Sequence, residues 1–580
     1  MNMLNHRPNS LNPQLLELDP ALKKIDEMMD QYWGDYPDLY QTIQNKKKNN
    51  TEEKREAVID NKEKMEPPIS TEPTALKKLF NPPLRGAALR QKCYDNHCQI
   101  RQRVLATGSE ITPRTQAHNR KCDHKTIEEA RDFRGEVVQA QLRAWRCILP
   151  LLLRRFSKLP DYRQVSKIKH KMTVLMMFGL LAFIFRFSSR REMNRELTGP
   201  VIVEHLQKLF PEIESVPHAD TLARMLVHTN PHDIEAIHIS LMQDLIKKKK
   251  FKKVLINGCL PISIDGTQKL TRDGLLQDER WCERRVGDGD DKQQYLYILE
   301  ANITLQNGLT ITLMSEYLYR ESNQLEQPEG KQDNELTAAE RLIKRLKKYF
   351  PRLKIMIIGD AMFADTALME KMSQYHWEYI VSLPKKKLKD CRKQLNSEKS
   401  NRVELEEASY YRERKQSFCW KNNITGGYNY DLSLNVVGCL EEYEEVNKKT
   451  GEIETCFSEH AWISSIAIDK NNVHLLTNLA GRKNFLLENN INQAKNDGYQ
   501  YKHLFSYNWH AMQGFHYLMR LGQAINLLCE WTKVLRKTIR EIGWSATLKL
   551  IKETLFSPWL SSQWYDNQLK KTAQLRLQFE

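Results

Sequence analysis

The stretch "PISIDGTQ", Pro261 to Gln268, decides how the rest of the chain is read. Ile262 and Ile264 alternate with Ser263, the two-residue period of a half-buried strand. One aspartate, Asp265, follows, and Gly266 is expected to end the strand. Asp-Gly is a common turn dipeptide, so a turn is the plain reading of the pair. A second stretch weakens that reading. In "KIMIIGDAMFAD" an apolar strand, Ile355 to Ile358, runs into Gly359 and then Asp360. Two separate strands each deliver an aspartate at their C-terminal end. In α/β sheets that edge is where ligands and active sites gather.

A third stretch supplies a third carboxylate: "LENNINQAKNDGYQYKHLFS", Leu487 to Ser506. On a helix turning by about 100° per residue, Glu488, Asn492, Lys495 and Tyr499 fall on one face. That stripe holds an acid, an amide, a base and a phenol, where a core-facing helix would carry apolar residues. The alternative is a solvated surface face, and Gly498 is expected to end the helix before Tyr499. Two aspartates and a glutamate from three elements suit phosphoryl-transfer chemistry. A phosphodiester repels nucleophiles, and two divalent metals can hold the attacking and leaving oxygens. Mg²⁺ takes oxygen ligands, keeps several waters and needs few protein carboxylates.

The texture around these elements is α/β. "YLYILEANITL" and "LTITLMSEYL" read as strands, and "ELTAAERLIKRLKKYF" reads as a helix. The pattern divides the chain into a polar arm over residues 1–75, a basic Cys/His segment over 76–125 and a helical region over 126–255. A first catalytic part follows over 256–385, then a β-rich insertion over 386–460. A second catalytic part over 461–545 leads to a C-terminal tail over 546–580. In the basic segment Cys93, Cys98, Cys122 and His124 are candidate zinc ligands, with His97 and His118 nearby. Their spacing is not one of the strong zinc patterns. Reduced cysteines in a basic arm are the alternative, and DNA binding is the function expected there.

The bulk properties agree. The 580 residues carry a formal net charge of +16 and a pI near 9.1, which favours a polyanionic partner, nucleic acid before membrane. The run "KKKKFKK", Lys247 to Lys253, is either a phosphate contact or a solvated helix end. Eleven scattered cysteines do not make a disulfide framework, which points to a reducing, intracellular setting. The most apolar run, "MTVLMMFGLLAFIF" from Met172 to Phe185, is too short to span a bilayer and is expected to be a core helix. The N-terminus has no basic-then-apolar leader pattern, and no membrane partner is expected.

The ordered motifs resemble the DDE transposases of bacterial insertion sequences, in the branch with a β insertion between the second Asp and the Glu. "SIDGTQ" and "IIGDAMFAD" resemble the two Asp motifs, and "KQDNELTAAERLIKRLKKYFP" resembles the helix between them. "GRKNFLLENNINQAKNDGYQYKHLFS" is similar to the Glu motif, and the agreement runs over about residues 260 to 530. Upstream, "LPDYRQ", "FGLLAFIFRFSSRREMNRELTG" and "VPHADTLARML" look like the helical region that precedes the catalytic domain in related proteins. The resemblance implies a ribonuclease-H-like catalytic core in which Asp265, Asp360 and Glu488 hold two Mg²⁺ ions, with Mn²⁺ able to substitute. It implies cleavage at terminal inverted repeats to free a 3′-OH, then attack of that 3′-OH on double-stranded target DNA. It also implies a homodimer on two ends and a cytoplasmic, nucleoid-associated protein. Lys495 would hold a phosphate near the scissile bond, and Tyr499 and His503 fall on further family positions that contact DNA or support the glutamate helix. Trp420 is a candidate for stacking on a displaced base, with packing inside the insertion as the alternative. The chain departs from the family at one place. The usual arginine four residues before the glutamate is Asn484 here, which leaves Arg482 as the substitute phosphate ligand. The rival readings are a DNA-binding relative that does not cut, a metal-dependent nuclease without strand transfer, and an interaction protein whose carboxylates are only surface charges.

Overall fold

The computed structural model describes residues 85–106, 122–273, 280–285, 292–320, 333–383, 388–395, 401–408, 413–425 and 432–579. The polar arm and the first residues of the Cys/His segment lie outside them, as do 107–121. The chain first forms helices α1 (Gly86–Ala106), α2 (Ile127–Phe156), α3 (Met172–Ile184), α4 (Arg190–Leu197), α5 (Pro200–Leu209), α6 (Ala219–His228) and α7 (Pro231–Lys247). The apolar run is α3, and all of its residues are buried. A helix apolar on every side can only sit inside a core. No helix among the described residues is long and apolar enough to cross a membrane.

Strands β1 (Leu260–Asp273), β2 (Cys282–Arg285), β3 (Lys292–Thr304) and β4 (Thr310–Tyr317) come next. Helix α8 (Glu335–Tyr349) leads to β5 (Ile355–Gly359), and α9 (Thr366–Gln374) leads to β6 (Glu378–Ser382). After α10 (Lys389–Leu395), four long strands follow: β7 (Asn401–Ala408), β8 (Glu413–Thr425), β9 (Ser433–Val446) and β10 (Ile453–Ser464). The chain closes with α11 (Val473–Thr477), α12 (Phe485–Asn496), α13 (Trp509–Glu530), α14 (Lys533–Ile542), α15 (Trp544–Phe556) and α16 (Ser562–Lys570).

One mixed sheet runs in the order β2-β3-β1-β5-β6-β10-β9-β8-β7, with β4 also paired to β3. The first half is antiparallel, β3 lying between β1 and β4. At its centre β1, β5 and β6 are parallel. The β insertion is a run of antiparallel hairpins, and the end of β10, Trp462 to Ser464, pairs with β6. The insertion is therefore continuous with the sheet that carries Asp265.

Local chemistry sets these elements. The Asn334 side chain accepts the Thr337 N–H and caps α8, while Lys347 and Lys348 close its last turn against the helix dipole. Ala338, Ala339, Leu342, Ile343 and Leu346 form its buried face. Helix α13 is buried along almost its whole length and packs on α3, α6 and α7. Two expectations are corrected. Gly266 does not end β1, which continues in register with β3 to Asp273. The segment 546–580 is not a tail: α15 and α16 pack on the first helices. Arg146 of α2 donates to the carbonyls of Gln568, Leu569 and Lys571, and His205 Nδ1 lies 2.8 Å from the Leu555 carbonyl oxygen.

Candidate active site

The parallel pair β1/β5 brings the two aspartates together. Ile264 is the register partner of Gly359, so the next residues, Asp265 and Asp360, leave the pair side by side. Asp265 is thus in mid-strand yet at the C-terminal edge of the parallel centre. Its Oδ1 accepts the Gly266 N–H at 2.8 Å, and Asp360 Oδ1 accepts the Met362 N–H at 2.9 Å. Both glycines are required by close approach. A Cβ on Gly266 would stand 2.4 Å from the Tyr297 ring, and one on Gly359 would stand 2.8 Å from Phe363.

Glu488 comes from α12, which packs on β1, β3 and β4 through Leu487, Asn490, Ile491 and Ala494. Asn490 fixes the helix by donating to the Thr310 carbonyl at 2.9 Å. This turns Glu488 and Lys495 outward. Gly498, with φ +88°, lies just beyond the helix end, so Tyr499 is not on its face. A fourth carboxylate, Glu335, joins from the start of α8, and its charge acts on both Asp265 and Tyr297. Burial first, then the neighbouring Glu335 and the charges of Asp265 and Asp360, drive the Tyr297 phenol far above its usual range.

The electrostatics mark Asp265 as the centre of the group. Burial above all, then the charges of Asp360, Glu488 and Glu335, push it up to about 6 against the pull of the Gly266 N–H. None of the four carboxylates forms an ion pair with Lys or Arg among the described residues. The donors are all carboxylate oxygens, the chemistry that suits a hard divalent cation. No three His, Cys, Asp or Glu side chains among the described residues close on one point as a metal cage would. Cys93, Cys98, Cys122 and His124 likewise do not close on one point. Perturbed carboxylates with no countercharge are a common mark of a functional site.

Lys495 reaches the same place. Its Nζ donates to Thr267 Oγ1 at 2.6 Å, two residues beyond Asp265 on the same strand face. Burial first, then the neighbouring Lys502, holds it below the ordinary lysine value. Beneath the site lies a buried ionic platform that the sequence reading missed. Glu300 is the direct cross-strand partner of Asp265. It accepts from Arg520 Nε at 2.9 Å and from the Tyr501 hydroxyl at 3.3 Å. Lys269, wholly buried over the Tyr501 ring and bonded to the Tyr501 carbonyl, is pushed down to about 7 by burial and by Arg520. A lone acid inside the apolar strand "YLYILEANITL" was the available signal for Glu300.

Three expected DNA contacts sit elsewhere. Arg482 is committed to the insertion: it pairs with buried Glu441 of β9 at 2.6 Å and donates to Asn478 Oδ1 at 3.1 Å. Tyr499 is buried, and its hydroxyl accepts from Asn526 at 2.9 Å. Trp420 is 5% exposed in a second core with Ile358, Ile380 and Trp462, so its faces are covered by packing. His503 does lie at the surface, its ring edge on Phe505.

Residues 153–242 match the family described as DDE_Tnp_1-associated. The matched segment begins within α2 and ends within α7, so it covers the helices that precede the first aspartate. It is similar, by that description, to the region associated with DDE-type transposases. No curated protein matches the chain.

Proposed function

We propose that this chain is a DDE-type DNA transposase of an insertion sequence, with a ribonuclease-H-like core interrupted by the β7–β10 insertion. One observation carries the reading: Asp265 and Asp360 leave adjacent parallel strands side by side, in the field of Glu488 and Glu335, and neither forms an ion pair with Lys or Arg among the described residues. The family match of residues 153–242 lends independent support from a different part of the chain.

Asp265, Asp360 and Glu488 would hold Mg²⁺ or Mn²⁺. When bound, such ions neutralise charge at the scissile phosphate and activate the attacking oxygen. The protein's own groups set the rest. Thr267 holds the Lys495 ammonium beside Asp265, where its remaining N–H groups would be available to a phosphate oxygen. Glu335 adds a fourth negative charge beside Asp265 and Tyr297. The buried Glu300–Arg520 pair anchors the strand directly opposite Asp265. Two DNA ends need two catalytic centres, so a dimer on DNA in the cytoplasm completes the proposal.

A second reading has one observation in its favour. Arg482 is engaged by Glu441 and Asn484 is not an arginine, so the phosphate ligand of the family has no equivalent here. That favours a relative that binds DNA without cutting. The test is purified protein with Mg²⁺ and a DNA fragment carrying the sequences that flank the gene. Cleavage at the ends and joining to a plasmid, lost in Asp360→Ala, supports the transposase. Binding without any cleavage refutes it in favour of the second reading.

A further inference from the structure

The same strand that carries Asp265 leads into a second feature. Beyond the bulge between Gln268 and Leu270, β1 lines a cleft of about 680 Å³. One wall is the start of α4, with Arg190 and Arg191, inside the family-matched segment. The floor is Leu270 and Arg272 of β1, and the other wall is the loop Lys502–Tyr507. Arg191, Arg272, Lys502 and His503 are exposed there, and no described acid lines the cleft with them. Arg190 shares its charge with Asp220 at 3.1 Å, an exposed pair of the kind that contributes little. Tyr507 is 63% exposed at the rim, with the Arg272 guanidinium 5.2 Å from its ring centre.

We infer that this cleft is a second DNA-binding site, which takes the phosphate backbone of the duplex as it leaves the carboxylates. Several cations in a concave strip fit a rod-like polyanion, and a flat lipid surface does not reach into it. The Arg272–Tyr507 pair offers a stacking face if a base is unpaired there. Across the bulge, Asp265 and Leu270 pair with Glu300 and Leu296, four residues apart on β3 and about 14 Å at strand rise. That equals the axial rise of about four base pairs. A duplex lying along β1 would meet the cleft about four base pairs from the bond being cut. The inference takes its ligand from the proposed function, but its test needs no cleavage.

The experiment is anisotropy of the full chain on a labelled duplex, without metal, over a range of NaCl concentrations. The variant pair is Arg272→Gln with Lys502→Gln, and the control pair is Lys537→Gln with Lys549→Gln on α14 and α15. Each lost phosphate contact lowers the slope of log affinity against log salt by about 0.9. The cleft pair should lower it by about 2 and weaken binding at least tenfold, with the control pair unchanged. An unchanged slope in the cleft pair, or an equal fall in the control pair, overturns the inference. A lowered slope in a protein that never cuts DNA upholds the cleft while the transposase reading fails. Normal cleavage with an unmoved slope does the reverse.

Discussion

Replacing Asp265 by Asn should stabilise the protein at neutral pH, against the usual expectation for a core-edge substitution. The reason is the direction of its titration. Asp265 ionises at about 6 in the fold, against 3.8 for a free carboxyl. Between those values the folded chain binds more protons than the unfolded one, so stability falls as pH rises through the window and the full cost is present above pH 6. The difference corresponds to about 3 kcal/mol at full strength, and about 1–2 kcal/mol once solvent screening at a half-buried site is allowed for. Asn keeps the acceptor that Gly266 uses and drops the charge. For a chain of this size that gain is about 1–2 °C in Tm. The assay is thermal unfolding of both proteins at pH 7.5 and pH 3.5. The variant should melt higher at pH 7.5 and level with the parent at pH 3.5. Adding Mg²⁺ at pH 7.5 should raise the parent more than the variant, since only the parent has the charge to gain by it. A variant that melts lower than the parent at pH 7.5 refutes the reasoning, and so does an equal gain at both pH values.

Gly266→Ala should cost about 1–3 kcal/mol in urea unfolding, because its Cβ meets the Tyr297 ring at 2.4 Å; most of the loss should return in a Tyr297→Ala background. Glu300→Gln should cost about 3–5 kcal/mol, since it leaves the Arg520 guanidinium buried without its countercharge; cooperative unfolding well below the parent's denaturant midpoint is the readout. Arg482→Ala should lower stability by about 1–3 kcal/mol and leave the salt dependence of DNA binding untouched, because the side chain serves Glu441 and Asn478 and not phosphate.

The aspartates were legible because each closes an apolar run whose period announces a strand. Their meeting depends on the β1/β5 register, which alternation alone does not encode. Gly266 shows the limit most clearly. Its Asp-Gly context reads as a turn, yet the strand runs on, because what Gly266 answers to is a ring on the neighbouring strand. Position within a motif also misled. Arg482 was the substitute for the arginine missing at 484, and Tyr499 stands on a family position, but one is claimed by an acid on β9 and the other by Asn526. Both partners are far away in sequence, and only the fold brings them near. Glu335 was read as part of a helix, which it is. Its second role, facing Asp265 from the first turn, follows from where that helix is delivered, which periodicity does not specify.

The most direct test of the central claim is end cleavage in Mg²⁺ by Asp265→Asn, Asp360→Asn and Glu488→Gln, side by side with the parent, and DNA affinity measured on the same samples. The account predicts that all three keep their affinity and lose cleavage to background. Cleavage that survives in any of the three would contradict it.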